Sequence, residues 1–216
     1  MLLLENVTKR YQMRDGSSRI VLNGISILIR QGDAVGILGR NGAGKSTLMR
    51  ILAGVEYPTT GRVERRMAVS WPLGYGVGMQ NTMSGADNAR FIARLYGKPQ
   101  AEVLDFVADL ADLGQYLNMP TKTYSSGMMG RLQLSLSLAI QFDCYLIDEG
   151  TATGDARFVE RTRALLAERM QDRAVIMVSH SAETVRSFCR TAAVLQSGRL
   201  TLYEDLDEAF ATYNAI

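Results

Sequence analysis

The stretch Gly39-Arg40-Asn41-Gly42-Ala43-Gly44-Lys45-Ser46-Thr47 carries the strongest chemical signal in this sequence. Glycines at this spacing let the backbone wrap closely around an anion, so that successive N–H groups point inward. A helix opening at Lys45 adds the positive end of its dipole. Lys45 then places a point charge on terminal phosphates, and Ser46 offers a hydroxyl to Mg²⁺. The pattern G-x-x-x-x-G-K-[ST] requires a strand before it and a helix after it. Ala34–Leu38 is an all-apolar run suited to a strand buried on both faces, and Lys45–Ala53 reads as a helix stopped by Gly54. The chain has only four lysines (Lys9, Lys45, Lys98 and Lys122), so one falling on the motif is informative against a plain glycine-rich turn.

A second chemical signal is the apolar strand Cys144-Tyr145-Leu146-Ile147, which ends in Asp148-Glu149. Ligands of open α/β sheets sit at the carboxyl ends of strands. There, Asp148 is placed to hold Mg²⁺ and Glu149 to polarise an attacking water.

The elements that must position these groups alternate between strand and helix, which indicates an α/β layered fold. Leu2–Val7 and Val21–Arg30 read as strands, and Pro58 and Gly61 punctuate a turn into short strands around Arg62–Val69. Asp87–Tyr96, Ala101–Leu113 and Gly127–Gln141 carry helical spacing, whereas Gly114–Thr123 is irregular. Three short apolar runs, Ala34–Leu38, Cys144–Ile147 and Ala174–Val178, point to a mostly parallel central sheet. Ala192–Gln196 and Arg199–Tyr203 flank a Ser197-Gly198 turn as a hairpin, and Asp205–Ala215 is a last helix. Trp71, the only tryptophan, is a candidate packing residue of the small lobe.

Composition removes several classes. Apolar residues make up 47% of the 216 residues against 21% charged, which excludes a disordered or low-complexity chain. A net charge of +2 with no basic stripe gives no support for a nucleic-acid partner. No apolar stretch approaches a membrane-spanning length, and the opening Met1-Leu2-Leu3-Leu4 run, broken at Glu5, does not read as a signal peptide. The two cysteines, Cys144 and Cys189, fall in apolar segments and read as buried thiols; with a single histidine, a His/Cys zinc site is excluded.

The phosphate loop followed by tandem Asp148-Glu149 resembles the ATP-binding subunits of ABC transporters. Tyr124-Ser125-Ser126-Gly127-Met128, opening a helix upstream of the acidic pair, stands where that family has its Leu-Ser-Gly-Gly-Gln signature; Ser125 and Gly127 are kept, while Tyr124, Ser126 and Met128 differ. Alone, this segment would be an ordinary serine N-cap. The resemblance implies a P-loop NTPase fold: a RecA-like parallel-sheet core, a small antiparallel β lobe and a helical subdomain at about 84–140, all within one nucleotide-binding domain over 1–216. It implies ATP and Mg²⁺ as cofactors. It assigns catalytic roles to Glu149, His180 (the only histidine, as γ-phosphate switch) and Gln80, and Mg²⁺ to Ser46, Gln80 and Asp148. It gives the ATP cradle to Gly39, Arg40, Asn41, Gly42, Ala43, Gly44, Lys45, Ser46 and Thr47, with Tyr11 stacking on adenine. Across a head-to-tail homodimer it adds Ser125, Ser126, Gly127 and Asp155.

Ser70-Trp71-Pro72-Leu73-Gly74, Gly78-Met79-Gln80, Met83-Ser84-Gly85-Ala86-Asp87-Asn88 and Ala93-Arg94-Leu95-Tyr96, with the Tyr-Ser-Ser-Gly-Met signature, look like the ATPase subunit of group 2 capsule polysaccharide exporters. O-antigen and teichoic acid export share that signature and are alternatives, as is a soluble non-transport ABC ATPase; a small-molecule kinase would not need Ser125–Gly127 or His180. The resemblance implies peripheral attachment to the cytoplasmic face of the bacterial inner membrane, on a separate two-copy permease. Periplasmic and outer-membrane export components would act indirectly. Because the chain stops soon after its last helix, no carbohydrate-binding domain is expected.

Overall fold

Alternating apolar residues build the first strands of the computed structural model, which describes residues 1–74, 78–148, 155–179 and 181–216. β1 (Leu2–Gln12) pairs antiparallel with β2 (Ser18–Ile29). Leu2 and Leu4 are buried on one face; a register shift then intervenes, Asn6 adopts a positive φ of 48°, and Val7 turns inward in its place. Asn tolerates that left-handed conformation better than most residues, which suits it to a bulge. β3 (Ala34–Leu38) follows, then α1 (Lys45–Leu52), β4 (Thr60–Arg65) and β5 (Val69–Pro72). β4 joins the far edge of β1, giving a three-stranded antiparallel sheet in the order β2-β1-β4.

The chain continues through α2 (Gly85–Leu95), α3 (Gln100–Ala111), two 3₁₀ turns at Gly114–Asn118 and Thr121–Thr123, and α4 (Ser126–Ala139). β6 (Cys144–Asp148), α5 (Ala156–Met170), β7 (Ala174–Val178), α6 (Ala182–Phe188), β8 (Thr191–Gln196), β9 (Arg199–Tyr203) and α7 (Leu206–Asn214) complete it. A six-stranded sheet runs β5-β6-β7-β3-β8-β9, parallel except for the terminal β8–β9 hairpin. All five residues of β7, four of β6 and four of β3 are buried, so apolar continuity is what the central strands require.

Two compact units result: Met1–Pro72 with Phe142–Glu149 and Asp172–Ile216, and Leu73–Gln141 with Gly150–Gln171. The first holds both sheets and a core in which Leu2, Leu22, Ile37, Leu48 and Ile176 are almost fully buried. The second is helical. Its α4 is buried at every position from Leu134 to Leu138, so it is covered on all sides. Ser84 caps α2 by accepting from the Asp87 amide at 3.0 Å, and Asp87 is in turn hydrogen-bonded to the Ser84 hydroxyl. This Ser-x-x-Asp reciprocity is a capping-box arrangement. Arg161 of α5 donates to the Asp109 carbonyl at 2.9 Å, and Arg169 lies 5.8 Å from the Phe106 ring, tying α5 to α3.

Two details depart from the sequence reading. The short strands expected around Arg62–Val69 are followed by a strand at residues 69–72 that the sequence reading did not delimit, and it belongs to the six-stranded sheet. Trp71 is therefore buried in that sheet, 5.4 Å edge-to-face from Phe142. α5 and α6 were also not delimited by sequence pattern.

Candidate functional site

β3 delivers the chain to Gly39, and Gly44 occupies the N-cap position of α1 with φ +110°, a conformation that glycine adopts freely. A Cβ on Gly44 would sit 2.9 Å from the Val21 side chain. No side chain caps α1, so the amides at its start are oriented for an anionic ligand. Ala43 N–H donates to the Arg40 carbonyl at 3.1 Å and closes a turn inside the loop. The Lys45 ammonium reaches back to the carbonyls of Gly39 and Arg40, at 2.5 and 3.1 Å, which fixes its charge at the loop's centre. Arg40 directs its guanidinium to the Ile216 carbonyl at 2.8 Å.

These residues surround a hollow of about 380 Å³ lined by Asn41, Gly42, Gly44, Lys45, Ser46, Thr47 and Asp148, with Arg19, Val21 and Val178. Asp148 is there because β6 pairs with β7, Asp148 opposite Val178, while β7 pairs with β3. The carboxyl ends of three adjacent parallel strands thus form the floor. Ser46 and Asp148 supply hard oxygen donors to one hollow, which fits Mg²⁺ that completes its shell with phosphates and water. Among the described residues no group of three His, Cys, Asp or Glu forms a protein-only metal cage. Glu149 and His180 lie outside the described residues.

Tyr11 stands near the end of β1. Its hydroxyl donates to Glu56 Oε1 at 2.6 Å and lies 3.4 Å from Thr47 Oγ1, so it is tied to the first turn of α1.

In the helical unit, Ser125 caps α4 by accepting from the Met128 amide at 3.3 Å, and Ser126 and Gly127 are exposed in its first turn. Tyr124 donates to the Tyr116 carbonyl at 2.6 Å. A Cβ on Gly85 would meet that hydroxyl at 2.6 Å and Leu117 Cδ1 at 3.0 Å, so any side chain at 85 would force its neighbours to shift. A groove of about 730 Å³ beside the capped end is bordered by Asp112, Tyr116, Gly127, Met128, Arg131 and Asp155. Asp155 caps α5 through the Phe158 amide at 2.9 Å and pairs with Arg131. The Phe158 amide first, and then Arg131, hold its carboxyl below the ordinary range.

Gln80 is exposed, yet its backbone is clamped on both sides. Its amide donates to Asn88 Oδ1 at 2.8 Å, and its carbonyl accepts from Asn88 Nδ2 at 3.2 Å and from Thr121 Oγ1 at 3.4 Å. Asn88 and Thr121 are fully buried. Sequence reasoning quoted Asn88 within a motif without seeing this clamp. It missed Arg131 and Glu56 altogether, because no local pattern joins either to its partner.

A glycine-bent phosphate loop between a buried parallel strand and a helix, with an acidic side chain at the next strand end but one, defines a P-loop nucleotide-binding domain. Residues 22–152 match the family model described as ABC transporter, and the chain belongs to that family. It is 48% identical over 216 residues, covering 100% of both chains, to the capsule polysaccharide export ATP-binding protein CtrD of Neisseria meningitidis serogroup B. It is 41% identical over 216 residues, covering 99% of this chain and 96% of the other, to the polysialic acid transport ATP-binding protein KpsT of Escherichia coli. Among solved structures, a dimeric ATP-binding cassette in a post-hydrolysis state with ADP and Pi matches with TM-score 0.76 and 21% identity, over 94% of this chain and 98% of that one.

Proposed function

We propose that this chain is the ATP-hydrolysing subunit of an exporter that moves a lipid-linked capsular polysaccharide across the bacterial inner membrane, working with a separate permease. The observation that carries this reading is the joint presence of Lys45, Ser46 and Asp148 on one hollow, in a chain that aligns end to end with a capsule export ATP-binding protein. The polysialic acid relative supports an acidic glycan as cargo.

In this reading the loop 39–47 grips the triphosphate through backbone amides and Lys45, and Tyr11 stacks on adenine. Ser46 and Asp148, joined by Gln80, hold Mg²⁺, which when bound neutralises phosphate charge. Glu149 accepts a proton from the attacking water, and His180 contacts the γ-phosphate. Two copies pair head to tail, so that the Ser125-capped helix with Ser126, Gly127 and Asp155 of one copy completes the ATP site of the other; that the fold neighbour is dimeric supports a dimer. Nucleotide is then part of the interface, and hydrolysis loosens it. Among the described residues no helix is long and apolar enough to cross a membrane. The bilayer segment accordingly belongs to the permease, and this subunit sits on its cytoplasmic face.

The test is Glu149→Gln. Turnover falls by about 10²-fold or more, because the base is lost, while phosphate grip persists and an ATP-dependent dimer accumulates on size-exclusion chromatography. Wild-type turnover would remove the Glu149 assignment. Surface capsule persisting after deletion of the gene would remove the export reading.

A further inference from the structure

Around Tyr11 lies a polar cluster that neither the phosphate loop nor the strand-end acids explain. Glu56, on the segment just after α1, spends both carboxylate oxygens there. Oε1 takes the Tyr11 hydroxyl at 2.6 Å and the Lys9 ammonium at 2.9 Å. Oε2 takes Arg50 Nε at 2.9 Å. Arg50 also donates to the Tyr11 hydroxyl at 3.2 Å and to Thr47 Oγ1 at 3.3 Å. Lys9 is fixed independently by the Tyr57 carbonyl at 2.7 Å and stands 5.2 Å from the Tyr11 ring centroid. The side chains of Lys9 and Glu56 are only 15% and 18% exposed, which distinguishes this cluster from the looser ion pairs elsewhere on the surface.

The geometry has a direct consequence. A phenol ring on a strand is otherwise free to turn about its side-chain torsions, and pinning its hydroxyl removes that freedom. Glu56 and Arg50 do the pinning, and Arg50 holds Thr47 at the same time. Thr47 is in the helix turn that lines the phosphate hollow. One carboxylate therefore sets the aromatic ring at a fixed distance from the phosphate-binding turn.

We propose that Glu56, acting through Tyr11 and Arg50, is a positioning residue that makes the base-contacting ring part of the nucleotide site, so that affinity for the nucleoside portion of the ligand depends on it. This rests on the reading above that Tyr11 meets adenine. Burial alone would raise the Glu56 carboxyl, but the hydrogen bonds from Tyr11, Arg50 and Lys9 outweigh it and hold the group down to about 2. It is thus ionised, and able to accept all three donors, at any physiological pH.

The experiment measures calorimetric binding of Mg·ATP and of inorganic tripolyphosphate, which has the phosphates but no base, to the full chain. The variants are Glu56→Gln, Tyr11→Phe, the two combined, and Tyr11→Ala. Glu56→Gln and Tyr11→Phe each weaken ATP about fivefold, the loss typical of one hydrogen bond. The double variant is no weaker than either single one, because both cut the same link. Tripolyphosphate affinity stays within about twofold throughout, and in ATPase assays the loss appears in KM rather than kcat. An equal loss with tripolyphosphate, or an additive double variant, would overturn the proposal in favour of a purely structural ion pair. So would unchanged ATP affinity in Glu56→Gln alongside a loss in Tyr11→Ala. Unchanged ATP affinity in Tyr11→Ala would remove the adenine contact itself, and this inference with it.

Discussion

In the first unit, the unbroken run Gly39–Thr47 makes most of a binding hollow by itself; in the second, the groove beside the Ser125 cap draws on residues as far apart as Asp112 and Asp155. The first uses backbone amides, a glycine conformation and the ends of buried strands. The second uses side chains that reach across loops: Tyr124 to Tyr116, Arg131 to Asp155, Asn88 to Gln80. A site made of backbone is stiff wherever its strands are stiff, and its chemistry is concentrated in a few side chains. A site made of long-range polar ties spreads its energy over many contacts, none dominant. Substitutions in the first should therefore remove activity while sparing the fold, and those in the second should erode stability first.

The largest expected effect is Lys45→Ala, with turnover reduced by about 10³-fold through loss of phosphate charge stabilisation. Its unfolding free energy changes by less than about 1 kcal/mol, since no core contact is lost. Urea unfolding alongside an ATPase assay checks both halves, and a large stability loss would break the contrast. Next is Gly85→Ala in the helical unit. Its methyl meets the Tyr124 hydroxyl at 2.6 Å, and the cost is about 1–3 kcal/mol of overpacking. Adding Tyr124→Leu should recover about 1 kcal/mol of that, measured as the coupling in a double-mutant cycle. Additivity would show that the two positions do not constrain each other. Ser125→Ala removes a cap worth about 1 kcal/mol, visible in thermal unfolding. A turnover loss well beyond that in the same variant would show the capped end acting on a ligand as well as on its own helix.

The remaining effect concerns pH and appears only in acid. The Glu56 carboxyl has its folded value lowered from the ordinary 4.5 to about 2, so its stabilising contribution is complete above pH 4.5 and is lost as pH falls through 2. Acid unfolding of Glu56→Gln should lack that part of the slope between these limits, and an unchanged acid limb would count against the cluster's ionised state.

What was legible in the sequence follows the same division. Ala34–Leu38 and Ala174–Val178 were bounded to the residue, because a strand buried on both faces leaves no polar position to blur it. α5 was not delimited, since its sequence is rich in charge and only Phe158 and Thr162 are buried, too few to print a period. β5 was not delimited, because Pro72 discourages a strand reading. Pro is tolerated there on an edge strand, and the Ser70 hydroxyl accepts from the Leu146 amide at 2.9 Å where the pairing shifts register. The phosphate loop was readable because its ligand contacts are contiguous. Arg131–Asp155 and Glu56–Tyr11 were not, because each joins residues that only the folded chain brings together.

The chain leaves the parallel sheet at Pro72 and re-enters it at Cys144, on strands that lie side by side, with Val69 opposite Cys144 and Pro72 opposite Leu146. Because the two strands are parallel, the excursion between them starts at one end of the sheet and finishes at the other, as a crossover must. Such a crossover can be lengthened, trimmed or exchanged between descendants without re-threading the sheet. The helices of that excursion can therefore vary in length and sequence while the sheet carrying the phosphate loop keeps its order of strands.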